Sequence, residues 1–196
     1  ESKIDSISFD LLKKFLEKNI FKIEKLIGNF LNNIFLIIET KNNKKISIGF
    51  KKKNYDKKIN KGLLETILTD AKDLFKENYA DEKITHMIVK KYLVDDVSYY
   101  SFKHNFIGDD FCLELQINYI SEDFIHEIER VLEKYHVKIV GYLDKNYIEN
   151  YFKNENFELC MMAYKIQNGS NNNEVKLVPK KTDKKGFFEK FFQLFS

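Results

Sequence analysis

The sequence predicts an α+β protein in which helices pack on one face of a small, mainly antiparallel sheet. Residues 61–78 and 122–135 place apolar side chains at helical spacing. Residues 111–119 instead alternate apolar and polar side chains, which is typical of a half-buried strand. Between residues 60 and 143 the predicted elements follow in the order helix, strand, strand, strand, helix, strand. The order of the strands within the sheet does not follow from this pattern.

An N-terminal unit, residues 1–58, is predicted to contain one helix and a pair of strands. The helix covers residues 9–27, which carry an apolar face, with Ser8 as its N-cap and Gly28 at its end. The helix is followed by a short apolar run at residues 34–39 and an alternating run at residues 45–50, which are the two predicted strands. A lysine-rich polar loop (KKKNYDKK) at residues 51–58 ends the unit.

A second unit, residues 59–153, is predicted to be the α+β module with a strand–helix–strand–strand character. Asn60 and Ser121 precede its two main helices and are suitable N-caps. Asp95 and Asp96 suit a bend between two extended segments. The helices and strands of this unit are expected, in chain order, at residues 61–78, 84–94, 97–106, 111–119, 122–135, 137–143 and 146–153.

The remainder of the chain is predicted to be a helix, a flexible linker and a terminal amphipathic helix. Residues 154–167 include the helix. Residues 168–184 are rich in asparagine and lysine and contain Pro179, the only proline of the chain, which is typical of a linker. Residues 185–196 end in FFEKFFQLFS, whose phenylalanines gather on one side of a helix.

The terminal segment has the composition of a reversible membrane anchor. Crossing a bilayer takes about 20 apolar residues, so this shorter segment is expected to lie in the interface. Each ring contributes roughly 1–2 kcal/mol through partial burial, and each nearby lysine about 1 kcal/mol on an anionic membrane surface. A last helix packed on the domain's own core is the competing interpretation, although the linker argues against it.

The predicted membrane-binding residues fall into two groups. The side chains expected to insert are Phe187, Phe188, Phe191, Phe192 and Phe195. The side chains expected to steer the segment towards anionic headgroups are Lys180, Lys181, Lys184, Lys185 and Lys190.

Bulk composition leaves one alternative function open. The 196 residues carry a net charge of +3, and Arg130 is the only arginine. Because arginine is favoured in contacts to phosphates and bases, this composition weakens a nucleic-acid interpretation. The alternative is a nucleic-acid-binding α+β module that uses the basic run at residues 51–58. Cys112 and Cys160 make no disulfide framework and no signal peptide is visible, so a reducing compartment is expected.

The sequence contains no motif that points to an enzyme. The histidines are scattered without metal-ligand spacing, so no metal site is expected. They are His86, His104, His126 and His136. The carboxylate pairs Asp95-Asp96 and Asp109-Asp110 fit turns better than general acid–base chemistry. Without a phosphate loop, a dinucleotide fingerprint or a nucleophile elbow, we expect no catalysis, no cofactor and no small-molecule substrate.

Several segments, read in order, resemble elements of one protein family. INKGLLETILTDAKDLF (residues 59–75) is similar to the helix that opens an inserted strand–helix–strand–strand subdomain. HMIVKKYLVDD (residues 86–96) resembles a strand of the form His-x-Ile-Pro-x-x-Tyr-x-Val-Asp, with Val89 in place of the proline. Further segments that fit the family's order are FCLELQINYI, the helix and strand within residues 124–151, and NENFELCMMAYKI at residues 154–166. The family is FtsA, the actin-like bacterial division protein that tethers the FtsZ ring to the membrane.

The resemblance implies a peripheral membrane scaffold of bacterial cell division at the division septum. It implies a location on the cytoplasmic face of the inner (cell) membrane, with division proteins as partners (FtsZ or later divisome components) and with self-association. The glycine-rich phosphate hairpins of actin-like ATPases have no counterpart among the seven glycines. The family's ATP site is therefore not carried over, nor is its FtsZ-contact lobe. The chain is then either an excerpt of a longer protein or a reduced member.

Overall fold

The structure is a computed structural model that describes residues 6–39, 44–53, 58–103 and 106–176. Within these ranges the chain forms five helices and six strands. The helices are α1 (Ser6–Ile27), α2 (Lys61–Asn78), α3 (Glu122–Glu133), α4 (Lys145–Tyr151) and α5 (Leu159–Gln167). The strands are β1 (Asn33–Ile38), β2 (Lys44–Lys53), β3 (Glu82–Val94), β4 (Val97–Tyr99), β5 (Asp110–Ser121) and β6 (Lys138–Asp144).

The main sheet has four antiparallel strands in the order β2-β5-β3-β4. Strand β5 lies inside the sheet and pairs with β2 on one side and β3 on the other. Alternate side chains of β5 point to α2, including the fully buried Leu113, Leu115 and Ile117. Helix α2 covers this face with its own buried residues, among them Leu64 and Phe75. The predicted α+β class and its mainly antiparallel sheet are therefore confirmed.

The second sheet is small and parallel, and it pairs β1 with β6. Side chains of this sheet contribute to two separate cores. One core includes side chains of α1 and α3, and the other includes side chains of α4 and α5. The two N-terminal strands thus do not pair with each other. β2 instead pairs with β5 from Lys44 to Lys53, because its alternating residues Ile46, Ile48 and Phe50 pack against the α2 core. This pairing joins the predicted N-terminal unit to the module that follows it.

Local sequence signals predicted some of the helix caps and element boundaries correctly and others incorrectly. The Asn60 side chain accepts a hydrogen bond from the Leu63 amide at 2.9 Å, as an N-cap does. Ser121 precedes α3 but makes no such side-chain bond. The extended segment predicted at residues 97–106 is a strand only at Val97–Tyr99. Beyond it, Phe106 is buried against the ring of Tyr99, so the chain folds back on the core.

Part of the predicted linker, residues 173–175, is packed on the main sheet. The Val89 amide donates to the Asn173 carbonyl and the Val175 amide donates to the Met87 carbonyl, each at 2.8 Å. The Val175 side chain is buried in the same core as α2. This burial holds residues 173–175 against β3 despite the polar composition of residues 168–176, which we call the C-terminal segment. The predicted terminal helix at residues 185–196 lies outside the described residues.

Candidate functional site

All ten predicted membrane-binding residues, from Lys180 to Phe195, lie outside the described residues. The described chain ends at Lys176, at the edge of the C-terminal segment. In the described ranges, none of the helices has both the length and the apolar character needed to span a membrane. Within the described residues, the candidate site consists of the side chains that surround the C-terminal segment.

The face of the main sheet opposite α2 is polar. Side chains alternate along a strand, so the residues of β3 and β5 between the core positions point to this face. They include His86 and Ile88 on β3, and Gln116 and Asn118 on β5. Helix α4 and the C-terminal segment supply partners for them: the Tyr147 ring packs against His86 with ring centroids 4.3 Å apart and an interplanar angle of 48°. His86 and Asn118 are consequently buried although both are polar.

His86 lies at the centre of a buried hydrogen-bond network. Its Nε2 accepts a hydrogen bond from the backbone amide of Asp144 at 2.8 Å. Nε2 therefore carries no proton, and Nδ1 donates to Glu174 Oε1 at 2.6 Å. The second Glu174 oxygen accepts a hydrogen bond from the Tyr147 hydroxyl at 2.7 Å. Asn171 Nδ2 donates to the same hydroxyl at 2.8 Å.

The Asp144 carboxylate extends this network to β5 and α4. Its Oδ2 accepts a hydrogen bond from Asn118 Nδ2, and its Oδ1 accepts one from the Tyr147 amide, each at 3.3 Å. Asp144 is thus both the last residue of β6 and the N-cap of α4. Gln116 Nε2 in turn donates to Asn118 Oδ1 at 2.7 Å. One network therefore connects β3, β5, β6, α4 and the C-terminal segment.

This geometry suits a structural role for the network rather than proton transfer. A histidine that acts as a general base needs a free ring nitrogen directed at the proton it removes. Both nitrogens of His86 are already bonded, one to a backbone amide and one to a carboxylate. Burial and the neighbouring charge of Glu174 raise the pKa of Tyr147 far above its ordinary value, so this hydroxyl keeps its proton.

A cleft of about 330 Å³ opens beside the network. Its lining consists of Lys44, Lys45, Ile88, Lys90, Gln116, Asn118, Asp144, Asn146, Tyr147 and Asn150. Lys44 is paired with Glu82, whereas Lys45 and Lys90 form no ion pair within the described ranges. The lysines and carboxamides make the cleft rich in hydrogen-bond donors, while its one carboxylate, Asp144, already accepts two hydrogen bonds. The cleft has the chemistry to hold a small oxyanion.

The aspartates considered above as carboxylate pairs form a turn. Asp95 and Asp96 have φ angles of 47° and 64°, which is the geometry of a two-residue hairpin loop between β3 and β4. Asp95 Oδ1 accepts hydrogen bonds from the amides of Asp109 and Asp110, each at 2.9 Å. A Cβ atom on Gly108 would lie 2.4 Å from Val94 Cγ1 and 2.7 Å from Asp95 Oδ2, so a larger residue there would displace both side chains.

The remaining histidines do not converge with His86. His126 is exposed on α3 and lies 3.0 Å from Glu129. His136 is exposed after α3 with a φ of 58°, and His104 lies outside the described residues. Among the described residues, no three histidines, cysteines or carboxylates are grouped so that they could hold a metal ion.

The basic run at residues 51–58 is described only in part. Successive side chains of β2 alternate between the faces of the sheet. Lys51 forms an ion pair with Asp110 at 3.2 Å, and Lys52 forms one with Asp70 of α2 at 2.6 Å. Lys51 and Lys52 of the run therefore lie on opposite faces of the sheet and are each engaged in an ion pair.

Sequence reasoning missed most of the network. Asp144 carries a readable signal, since an aspartate directly before a short helix is a common N-cap. Asn171 and Glu174 carry none, because they lie in a stretch whose composition is that of a linker. The sequence matches no protein-family model and no curated protein.

Proposed function

We propose that this protein is a peripheral membrane scaffold that resembles FtsA, attached to an anionic membrane surface through residues 185–196. The observation that carries the proposal is the phenylalanine stripe at the carboxyl end, with four lysines at positions 180, 181, 184 and 185 before it. Burial of the phenylalanine rings and attraction of the lysines to anionic headgroups then both contribute to binding on the same membrane surface. The partners are division proteins on the cytoplasmic face of the membrane, together with other copies of the chain.

The order of the elements supports the resemblance. Helix α2 is preceded by β2, which belongs to the predicted N-terminal unit, and is followed by β3, the short edge strand β4 and β5, with all four strands in one sheet. Apart from β4, the order is strand, helix, strand, strand. The segment similar to the family's His-x-Ile strand lies in β3 up to Val94 and continues into the turn at Asp95 and Asp96, next to β5. This is the order of the inserted subdomain that the resemblance implies.

The C-terminal segment supports a mechanical role for the body of the protein. Glu174 is hydrogen-bonded to His86, and Val175 is buried beside α2. The predicted linker is therefore fixed to β3 as far as Val175. A force on a membrane-bound terminus would then act on the main sheet through this attachment.

Sedimentation with anionic vesicles tests the proposed attachment. We expect Phe188→Glu/Phe192→Glu to weaken vesicle binding at least about 30-fold, since loss of two inserted rings removes at least about 2 kcal/mol. Gln193→Glu/Ser196→Glu is the matched control, because it adds the same charge on the predicted polar side of the helix. Circular dichroism should show the same folded body in both variants. Equal binding by the two variants, or none by the unmodified chain, would contradict the proposal.

A further inference from the structure

The corner between α1 and β1 exposes four large apolar side chains. Phe21, Leu26, Ile27 and Phe30 are 79%, 86%, 50% and 81% exposed. We call residues 21–30 the α1–β1 corner. Singly scattered exposed apolar residues are ordinary in soluble proteins, whereas these four fall within ten residues of chain.

The corner is held in its shape by the fold. Gly28 has a φ of 72° and ends α1. The Glu24 carboxylate accepts a hydrogen bond from the Leu31 amide at 3.0 Å, which closes the turn. Upstream, Leu16 and Ile20 are buried in a core shared with α3, so the helix is fixed to the body.

Positive charge accompanies these apolar side chains. Lys18, Lys22 and Lys25 lie on the same turns of α1 and form no ion pair in the part of the chain that the structure describes. The carboxylates on these turns are Glu17 and Glu24, and Glu24 is engaged with the Leu31 amide. Projecting apolar side chains among free lysines match the boundary between acyl chains and anionic headgroups. A protein partner would instead favour a broad surface with little lysine.

We propose that the α1–β1 corner is a second membrane contact, in which Leu26 and Phe30 enter the interface and the three lysines meet anionic headgroups. This inference rests on the proposed attachment through residues 185–196. The chain from Lys176 to Phe187 spans at most roughly 40 Å over eleven residues. That reach is about the diameter of a body of this size, so both contacts can lie on one bilayer. The second contact fixes the orientation of the body.

Single tryptophan reporters test the contact directly, because the chain contains no tryptophan. Phe30→Trp reports on the corner, Phe188→Trp reports on the predicted anchor, and Tyr164→Trp places the same probe on the exposed side of α5. On phosphatidylglycerol–phosphatidylcholine vesicles we expect the emission of Phe30→Trp and Phe188→Trp to shift to shorter wavelength. Brominated lipid should quench both probes and leave the Tyr164→Trp emission unchanged.

The three probes distinguish an error in the proposed second contact from an error in the proposed attachment through residues 185–196. A solvent-like Phe30→Trp with a lipid-quenched Phe188→Trp would overturn the second contact and leave the anchor standing. If neither probe responds, both proposals are wrong. A Phe30→Trp shift that grows with protein concentration in the absence of lipid would assign the corner to a second copy of the chain, and would overturn the membrane contact.

Substitutions of exposed residues measure the contribution of the corner to vesicle binding independently of the tryptophan probes. We expect Leu26→Ser/Phe30→Ser to weaken vesicle binding at least tenfold in the full chain. Ile107→Ser/Tyr164→Ser, which removes two similarly exposed apolar side chains elsewhere, should change it less than twofold. Equal effects of the two double variants would overturn the specific role of the corner. Because all four residues are exposed, thermal unfolding should stay unchanged in both.

Discussion

The imidazole of His86 and the carboxylate of Glu174 are joined by a hydrogen bond of 2.6 Å although 88 residues separate them in the chain. The bond connects β3 to the C-terminal segment beneath the ring of Tyr147. With the flanking backbone bonds to Met87 and Val89, it makes the C-terminal segment an additional pairing element of the main sheet. The predicted linker is therefore fixed to β3 at Glu174.

Glu174→Ala should release the C-terminal segment. The change leaves Nδ1 of the buried His86 and the Tyr147 hydroxyl without their shared acceptor. A buried donor without a partner costs about 1–3 kcal/mol each, so the free energy of unfolding should fall by roughly that amount or more. Urea denaturation measures this loss, and hydrogen exchange of the Val89 and Val175 amides should become faster. Asn172→Ala, at an exposed neighbouring position, is the control, and a similar loss in both variants would refute the role of the bond.

Tyr92→Phe should stabilise the protein or leave its stability unchanged. The Tyr92 side chain is fully buried, and its hydroxyl has no hydrogen-bond partner among the described residues. Its burial also raises the pKa of this hydroxyl far above the usual value. Removing an unsatisfied buried hydroxyl relieves a desolvation penalty of about 1–3 kcal/mol. Thermal unfolding measures the change, and a marked drop in the melting temperature would show that the hydroxyl has a partner after all.

Glu129→Gln should flatten the dependence of stability on pH in the acid range. Burial by itself would raise the pKa of Glu129, but hydrogen bonds from Tyr142 and His126 and the charge of Lys83 outweigh it and lower that pKa below 4.5. A carboxylate whose pKa is lower in the folded state stabilises the fold above its unfolded pKa. This stabilisation is lost as the pH falls through the folded pKa.

Urea titrations between about pH 3 and 6 measure this effect. The difference in stability between the unmodified protein and Glu129→Gln should be largest at the upper end of that window and should shrink as the pH falls. Tyr142→Phe removes the hydroxyl that donates to Glu129, so it should also reduce the slope. A difference that stays constant across the window would exclude Glu129 as the titrating group.

Local periodicity determined the class of the fold and most of its elements. Helix α2 has the bounds that its apolar spacing predicts, and β5 follows directly from alternating side chains. These signals are local because a helix or strand buries one face at a fixed repeat along the chain. The turn at Asp95 and Asp96 is likewise encoded in residues that tolerate positive φ.

Only the tertiary structure decided which strands pair and which polar groups are buried. β1 pairs with β6 rather than with β2, because the partners are selected by cores shared with helices distant in sequence. The polar residues after α5 have the composition of a linker, yet Glu174 meets His86 and Val175 enters the core. The side chain of a residue determines which hydrogen bonds it can form, whereas the packing of elements distant in sequence determines which partners it has.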